Sequence, residues 1–559
     1  MKTQLISRIS YKQVFKEETK IETLLNNINI LQSLEILAII NKYEYKINFK
    51  SDSELVFILH HWITNSNIEL KKKITKCYYN LVDSTSILNK DFSSVKIINH
   101  FATLRCIEIL LFHLKSTENK KIDAIENNEN LLKLYLLVND EIGERQDLVF
   151  KKWYDENLNE FNEVRLHLFM GLTHVQTSNN YFSQHFIPEI LKFIEFEKWL
   201  RENQSYTKMV TEYFKSMGLS GWNDYFKKVY DINKAAIDHH KITFEDTSYN
   251  SLLTFFSERE EINYEWNELK NLQKRPILKI KEEYLILDLV FLLNKFFSGI
   301  YHDLIEISQN TYKNNFHQEY NTKFIEKHLL INSIKAVFKN SHIQFAEENI
   351  KSFKIKNINN ISLPDYYIRN GNKLFLFECK NSFLSIKNKK DLDFELIEKE
   401  IKEKFYETGD KKKAVKQLIN FILNSETGKY SFFDEKKKDK NAKYFPILIT
   451  TDHTLNFIGF NKLLNEYFNT ELNKLEYDLK KRIYPLTIIH IDDLLNYNEL
   501  IKKLDIFILD YHRFTSNTKN RFDVMISFSD YLKHFKLKDK ELLRKKSIEH
   551  ILKDSIILK

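Results

Sequence analysis

Two acids and a lysine fall within one short stretch of the chain, ISLPDYYIRNGNKLFLFECKNS, which spans residues 361–382. Asp365 stands near its start, and Glu378 and Lys380 stand near its end. Carboxylate oxygens bind Mg²⁺, and oxygens of water and phosphate then occupy its remaining coordination positions. A lysine beside such a site can orient a water molecule or stabilise negative charge that develops during a reaction. These residue types therefore predict a magnesium site that handles a phosphate-bearing substrate.

The elements that must position these residues are two strands joined by a tight turn. The Asn-Gly pair at 370 and 371 is the strongest short-range signal for a β-hairpin, because a type I′ turn needs positive φ at both central residues. With this pair as the loop, Asp365 faces Leu376. Side chains alternate along a strand, so Leu376, Glu378 and Lys380 project to the face that holds Asp365. The opposite face, which we expect to meet the core, takes Phe375, Phe377 and Cys379.

Helices and strands alternate on both sides of this hairpin. Apolar periodicity and β-rich runs predict a helix over 315–338, a strand near 343–346, charged helices over 391–424, a strand over 444–450, a helix over 458–480 and a strand over 486–491. Such alternation predicts one mixed β-sheet covered by helices.

Pro364-Asp365 followed by Glu378-Cys379-Lys380, within this order of elements, resembles the PD-(D/E)xK nuclease superfamily over about residues 311–497. The resemblance implies a mixed sheet flanked by helices and metal-dependent cleavage of nucleic acid. It also implies that Asp365, Glu378 and the Cys379 carbonyl hold Mg²⁺, with Mn²⁺ as a substitute. Lys380 would then orient the attacking water or stabilise the charge of the transition state.

Two further site residues follow from the resemblance. Members of the superfamily often carry an acid on the helix before the hairpin, which points first to Glu319 and second to Glu326. These acids are seven residues apart, a spacing that places both on one face of an α-helix. Some members carry a glutamine on the helix after the hairpin, and Gln417 is similar, with Phe421 where a tyrosine often stands. The basic insertion at 387–413 departs from the family pattern, and Gln417 could instead be a surface residue.

The net charge of the 559-residue chain is +8, and the positive charge lies in its C-terminal half. By count, residues 301–559 carry about +10 and residues 1–300 about −2. A positive field attracts a polyanion. Basic segments at 387–390, 411–416 and 436–443 could track a phosphate backbone together with interleaved aromatic residues. Those aromatic residues are Phe405, Tyr406, Tyr430, Phe432 and Phe433.

Other motifs are weaker or absent. Asp452-His453 follows a predicted strand, where functional residues gather in open sheets, but turn formation explains this pair equally well. No phosphate-binding glycine loop occurs, which argues against ATP hydrolysis. The three cysteines are widely spaced and predict neither disulfides nor a zinc site, and the apolar runs are too short to span a membrane. We therefore expect a cytoplasmic protein.

The chain divides into four predicted regions. Residues 1–245 read as an all-α sensing or interaction domain, and residues 246–310 as a bridging element with a short hairpin. Residues 311–497 form the α/β nuclease-like domain, and residues 498–559 form a basic helical segment. The predicted fold class is thus mixed, with an all-α domain followed by an α/β domain.

The resulting hypothesis is a metal-dependent endonuclease, with DNA favoured over RNA because the superfamily mostly cleaves DNA. Its nearly neutral helical half would regulate it, through a protein partner, as in a bacterial antiviral defence or restriction-like effector. A homodimer would ease double-strand cleavage. Two alternatives remain: an RNA nuclease with the same core, and a degenerate nuclease fold that binds nucleic acid or a partner protein without cutting.

Overall fold

The chain is mostly helical and surrounds one five-stranded mixed sheet, as seen in the computed structural model. The structure describes residues 7–46, 51–89, 95–114, 122–155, 163–172, 181–259, 269–338, 343–352, 363–430, 433–434, 441–519 and 523–537. The prediction that helices combine with a mixed β-sheet is confirmed. None of the described helices is long and apolar enough to cross a membrane.

Helices dominate the N-terminal half. They are α1 (Tyr11–Phe15), α2 (Ile21–Leu25), α3 (Ile30–Lys46), α4 (Ser51–Phe57), α5 (Ile68–Asn89), α6 (His100–His113), α7 (Ala124–Phe150), α8 (Glu163–Leu172), α9 (Tyr181–Glu202), α10 (Thr207–Ser216), α11 (Trp222–Asp238), α12 (Asn250–Ser257), α13 (Lys270–Lys274), α14 (Leu289–Leu293) and α15 (Ser298–Ile307). Short strands among them are β1 (Ser7–Arg8), β2 (Val95–Lys96), β3 (Lys241–Ile242), β4 (Ile277–Ile280) and β5 (Glu283–Ile286).

Helix α7 illustrates why these segments are helical. Its first turn is capped by the Asp123 carboxylate, which accepts hydrogen bonds from the backbone N–H groups of Ile125 at 2.9 Å and Glu126 at 3.3 Å. Further along, the buried residues Leu131, Leu134, Val138 and Ile142 follow one another at spacings of three or four, and their neighbours widen this stripe into a broad buried face.

Strands and helices alternate in the C-terminal half. The strands are β6 (Ile343–Ala346), β7 (Tyr366–Asn370), β8 (Lys373–Lys380), β9 (Glu407–Thr408), β10 (Lys411–Lys412), β11 (Lys443–Thr450) and β12 (Thr487–His490). The helices are α16 (Phe316–Glu319), α17 (Leu330–Val337), α18 (Glu347–Lys351), α19 (Ile386–Asp391), α20 (Phe394–Phe405), α21 (Ala414–Glu426), α22 (Phe460–Leu472), α23 (Tyr477–Lys480), α24 (Ile491–Tyr497), α25 (Leu504–Asn517) and α26 (Phe528–Tyr531).

Several helices continue into turns of different pitch. The π-helical segments are Ile58–Trp62, Lys151–Asp155, Ser308–Tyr312, Tyr320–Leu329 and Leu532–Lys536. The 3₁₀ segments are Gln204–Tyr206, Thr247–Tyr249, His453–Leu455 and Asp523–Met525.

The main sheet has the strand order β12-β11-β8-β7-β6. Strands β12, β11 and β8 are parallel, whereas β7 pairs antiparallel with both β8 and β6. The carboxyl ends of the three parallel strands therefore meet at one edge of the sheet, where functional residues of open α/β sheets collect.

Both faces of the sheet are buried. Phe375, Phe377 and Cys379 pack into the central core, which gathers buried residues between Ile190 and Leu537. This confirms the predicted inward face of β8. Leu374 and Leu376 pack on the other face, in a second core that contains α20, α21 and α22.

A third core, the N-terminal core, gathers buried residues between Ile9 and Ile142 together with a few between Leu269 and Phe291. The hairpin formed by β4 and β5 joins the N-terminal core to the central core, because alternate side chains of this hairpin enter different cores. Leu278 and Leu285 pack in the N-terminal core, and Ile277 and Tyr284 pack in the central core.

Candidate metal centre and basic pocket

The hairpin turn differs from the sequence prediction by one position. Asn370 pairs with Lys373, so the loop residues are Gly371 and Asn372 rather than 370 and 371. Gly371 has φ of +60°, the left-handed value that a type II′ turn requires at its first central residue and that glycine adopts without strain. The predicted type I′ turn on Asn-Gly is therefore wrong.

This shift changes which residue faces Asp365. Tyr366 pairs with Phe377, so the next position on each strand sets Asp365 opposite Glu378 instead of the predicted Leu376. The pairing has moved by two residues, and side chains alternate with period two, so the predicted shared face survives. The two carboxylates are direct rather than diagonal neighbours.

Asp365 is anchored across the hairpin. Its Oδ2 accepts a hydrogen bond from the Cys379 backbone N–H at 2.6 Å. Its backbone carbonyl accepts another from the Glu347 N–H at 3.1 Å, at the start of α18. Bonds on both its main chain and its side chain fix the acid at the end of β8.

Glu378 and Lys380 form an ion pair in a nearly closed environment. Lys380 Nζ donates to Glu378 Oε1 at 2.9 Å, and the Glu378 side chain is 2% exposed. The second oxygen, Glu378 Oε2, is buried and has no hydrogen-bond partner among the described residues. A buried carboxylate oxygen without a donor is costly unless a cation or water completes it.

The electrostatics of the site favour an additional cation. Burial raises the pKa of Glu378 to about 8, and repulsion from the Asp365 carboxylate adds to the effect. Burial also raises the pKa of Asp365, against the opposing influence of Lys380. Burial lowers the pKa of Lys380, but the Glu378 and Asp365 carboxylates outweigh it and bring that pKa above its ordinary value. Lys380 is therefore charged and faces more than one acid.

Glu326 is the third acid near this group. Burial raises the pKa of Glu326 to about 7, with repulsion from Asp365 adding to the shift and Lys380 opposing it. Glu319 lies elsewhere: its carboxylate pairs with Lys323 at 2.8 Å, and this bond lowers its pKa. The structure thus brings the second predicted acid, rather than the first, to the hairpin.

The local helix geometry explains the separation of the two acids. Residues Tyr320–Leu329 form a π-helix, in which i→i+5 hydrogen bonds place more residues in each turn than an α-helix does. Seven residues then no longer complete two turns, so Glu319 and Glu326 do not share a face as the α-helical spacing predicted. Nothing in the sequence signals this π-helical stretch.

Gln417 and Lys380 line the same basic pocket, which has a volume of ≈ 710 Å³. The other lining residues are Ser382, Glu403, Lys404, Thr408, Lys411, Lys412 and Lys413. Gln417 Oε1 is buried without a hydrogen-bond partner among the described residues. The insertion at 387–413 supplies most of this lining, so the segment that departs from the family pattern borders the site.

The aromatic residues predicted to accompany these lysines do not face the pocket as stacking platforms. Phe405, Tyr406, Tyr430 and Phe433 are buried in the core on that face of the sheet. That part of the prediction is wrong, because their rings pack against neighbouring helices and strands. Phe432 lies outside the described residues, as do most of the basic segment 436–443 and residues 538–559.

Cys379 has a buried thiol that points away from the acids. The assignment of its carbonyl oxygen as a metal ligand stays a prediction. Among the described residues, Asp365, Glu378 and Glu326 do not bring three ligand atoms within 4.8 Å of one another. A cation here would therefore rely on one or two carboxylates, with the remaining ligands from water and substrate, as is usual for Mg²⁺.

The structure also brings together residues that the sequence did not connect. His453 and Asp492 follow the carboxyl ends of β11 and β12, and His185 of α9 joins them. Asp452, by contrast, caps the turn: its carboxylate accepts a hydrogen bond from Thr454 N–H at 2.9 Å. Of the predicted Asp-His pair, the acid forms the turn and the histidine enters a cluster. A strand-end histidine was the only sequence signal for this cluster.

Comparisons with known proteins find no matching family model, no matching curated protein and no matching solved structure.

Proposed function

We propose that this chain is a metal-dependent endonuclease of the PD-(D/E)xK type, with DNA as the favoured substrate and a cytoplasmic setting. One observation carries the proposal. Asp365 and Glu378 stand opposite each other at the end of a hairpin, with Lys380 bound to Glu378, and a basic pocket opens beside them. A pair of buried acids beside a cationic pocket fits a reaction on a phosphate backbone.

The donor set fits a hard divalent cation. Asp365 and Glu378 would hold Mg²⁺, because Glu378 Oε2 is buried without a partner and both side chains supply oxygen ligands. Such an ion lowers the pKa of a bound water and neutralises charge on the phosphoryl group. Mn²⁺ accepts the same ligands and would substitute for it.

The other residues would act on the substrate and its water. Lys380 keeps its charge because two carboxylates raise its pKa, so it can stabilise negative charge on the phosphate oxygens. Gln417 shares the pocket wall with Lys380 and has a free amide oxygen, so it can orient a water or a sugar-phosphate group. Lys411, Lys412 and Lys413 would hold the flanking backbone by charge.

The N-terminal helices would regulate the pocket through direct contacts with the segment that borders it. Arg145 of α7 donates hydrogen bonds to the carbonyls of Lys390 at 3.0 Å and Lys389 at 2.9 Å, at the end of α19. Arg165 of α8 binds Glu398 of α20, with its Nε at 2.8 Å from Oε2. Both contacts hold the insertion that borders the pocket. A partner that moves α7 or α8 would change the pocket, as expected of a restrained defence effector.

The test is cleavage of supercoiled plasmid and of single-stranded RNA in Mg²⁺, Mn²⁺ or EDTA. Glu378→Gln and Lys380→Met remove the two central side chains, and Glu319→Gln and Lys373→Met are matched controls outside the site. Lys373 lies at the other end of β8, where it pairs with Asp505. Circular dichroism of each variant checks that it folds.

We expect metal-dependent plasmid cleavage that both site variants lose and both controls keep. Cleavage in EDTA, or cleavage that survives in the site variants, would contradict the proposal. Cutting of RNA alone would identify an RNA nuclease with the same centre. Metal-dependent nucleic-acid binding without any cutting would identify a degenerate binding module.

A further inference from the structure

A second group of ligand-type side chains lies at the edge of the sheet that also carries the hairpin acids. His453 begins the 3₁₀ turn after β11, and Asp492 lies in the first turn of α24 after β12. His185 reaches them from α9. One ligand atom from each residue lies within 4.8 Å of the other two, and among the described residues no other group of three meets this condition.

The distances within this group match the spacing of ligand atoms around one metal ion. Asp492 Oδ2 lies 3.2 Å from His453 Nε2 and 3.5 Å from His185 Nδ1. A tetrahedral zinc ion with bonds of about 2.0–2.1 Å holds its ligand atoms about 3.3–3.4 Å apart. Hydrogen bonds between nitrogen and oxygen span about 2.7–3.2 Å, so the His453 contact lies at their upper limit and the His185 contact lies beyond it.

An ordinary buried His–Asp pair elsewhere in the chain provides the contrast. His100 Nε2 lies 2.9 Å from Asp288 Oδ2, and Asp288 also caps α14 by accepting from the Phe291 N–H at 2.7 Å. Both carboxylate oxygens of Asp492, in contrast, are buried and lack any hydrogen-bond partner among the described residues. Three side-chain nitrogen atoms thus lie 3.2–3.5 Å from the Asp492 oxygens, yet neither oxygen has a hydrogen-bond partner among the residues that the structure describes.

The charge around Asp492 leaves room for a cation. Lys192 pairs with Glu189 at 2.7 Å and lies 3.4 Å from Asp492 Oδ1. The two buried carboxylates of Glu189 and Asp492 share the single positive charge of Lys192, so one negative charge has no lysine to balance it. An unbalanced charge is costly in the protein interior. Because Lys192 faces Oδ1, Oδ2 is the oxygen left for a metal. Such an outer contact orients a ligating carboxylate.

The His453 ring packs edge-to-face against the His185 ring and stacks on the His490 ring. The His453 ring lies 4.2 Å from the His185 ring and 4.2 Å from the His490 ring, measured between centroids. His453 and Lys192 also line a cavity of ≈ 220 Å³. A water molecule or a small anion in that cavity can complete a coordination shell that has three protein ligands.

We propose that His185, His453 and Asp492 bind one transition-metal ion, with Zn²⁺ as the expected ion. Two imidazoles and a carboxylate are ligands that suit zinc, whereas Mg²⁺ prefers oxygen ligands alone. The ion would tie α9 of the N-terminal half to the ends of two strands of the sheet. This site is independent of the nuclease proposal, because it shares no residue with the hairpin acids.

The test measures metal in the full-length protein. The chain is stripped with chelator and dialysed, then titrated with Zn²⁺ while bound metal is counted by elemental analysis, and with Co²⁺ while visible ligand-field absorption is followed. We expect one tightly bound Zn²⁺ per chain and the absorption of a tetrahedral cobalt site. His453→Ala, His185→Ala and Asp492→Asn should each weaken Zn²⁺ binding by about 100-fold or more.

His100→Ala is the matched control, because it also removes a buried histidine from a His–Asp pair. Among the residues that the structure describes, that pair belongs to no group of three ligand-type side chains. This variant should keep the bound zinc and the cobalt absorption. Glu378→Gln should also keep both, so a failed nuclease proposal and a failed zinc proposal give different results. Wild-type protein that binds no zinc, or histidine variants that bind it as tightly as wild type, would overturn the inference.

A measurement on the unmodified chain guards against variants that misfold. Anomalous scattering at the zinc absorption edge, from crystals of the wild-type protein, should give a peak between His185, His453 and Asp492. A zinc peak elsewhere in the protein, with no peak at this cluster, would also overturn the inference.

Discussion

The hairpin acids and the histidine cluster occupy the same edge of one sheet, at the ends of neighbouring parallel strands, yet they differ in donors and in surroundings. Asp365 and Glu378 supply oxygen atoms beside a pocket lined with lysines. His185, His453 and Asp492 supply two nitrogens and one oxygen beside a smaller cavity between helices. The first set suits a hard ion and a polyanionic substrate, and the second suits a transition metal.

The two clusters also differ in how the chain assembles them. The hairpin acids lie within one short stretch, so strand alternation alone puts them on one face. The histidine cluster needs a helix from the N-terminal half and two strand ends from the C-terminal half. A local cluster can therefore be read from residue spacing, whereas a cluster from three distant segments needs the tertiary fold.

The largest expected effect separates the two proposed metal sites. If the proposed function holds, Glu378→Gln should lower the rate of metal-dependent cleavage by about 100-fold or more, because it removes one of the two carboxylates proposed to bind Mg²⁺. The same variant should keep its bound zinc. Rates from single-turnover plasmid cleavage and zinc content from elemental analysis check both parts. Loss of zinc together with cleavage would mean that the two clusters are not separate.

A smaller effect compares the two acids of the helix before the hairpin. Glu326→Gln should lower the cleavage rate by about 10-fold, because Glu326 adds negative charge beside Asp365 and Lys380. Glu319→Gln should change the rate by less than about 2-fold, because that carboxylate pairs with Lys323. The paired rates are measured at saturating Mg²⁺. Equal losses in the two variants would contradict the assignment of Glu326 to the site.

A further prediction concerns the basic pocket. Lys411→Ala and Lys412→Ala should each weaken nucleic-acid binding several-fold and reduce the salt dependence of log K by about 0.9 per lost phosphate contact. Fluorescence anisotropy at several salt concentrations measures both. Lys208→Ala is the control, because Lys208 is an exposed lysine on α10 that does not line the pocket. A control variant with the same change in slope would show that the pocket lysines have no special role.

A buried acid outside both clusters tests whether a perturbed pKa alone marks a site. Burial raises the pKa of Glu44 in the N-terminal core to about 8, and the nearest donor, the Thr103 hydroxyl, lies 3.4 Å away. The unfolded chain ionises this group near its ordinary value of 4.5 while the folded chain keeps it protonated. The free energy of unfolding should therefore fall from about pH 4.5 to about pH 8 and then level off, by up to about 1.4 kcal/mol per pH unit.

Glu44→Gln should flatten this pH dependence and leave cleavage unchanged. Urea unfolding at pH 5, 6, 7 and 8 measures the slope for the wild type and the variant. The control is Glu35→Gln, since Glu35 forms a partly exposed ion pair with Lys241. A slope that is the same in wild type and Glu44→Gln would refute the prediction. The expected result would separate acids that tune stability from acids that serve a site.

Much of the hairpin site could be predicted from the sequence. The observed turn lies one position after the predicted one, and the strand pairing differs from the prediction by two residues. A shift by an even number keeps the same residues on each face of the hairpin. The sequence named both Glu319 and Glu326 but could not decide which of them joins the hairpin, because α-helical spacing does not hold in a π-helical segment. Phe405, Tyr406, Tyr430 and Phe433 were misassigned because their burial depends on helices packed from elsewhere in the chain.

By itself, the sequence determined the helical N-terminal half, the alternation of strands and helices, and the common face of Asp365, Glu378 and Lys380. These features follow from local periodicity, which acts over a few residues. Only the tertiary structure decided which third acid joins the hairpin, which lysines surround it, and that His185, His453 and Asp492 meet. Contacts between segments far apart in the chain are set by how helices and strands pack, and residue spacing alone does not record that packing.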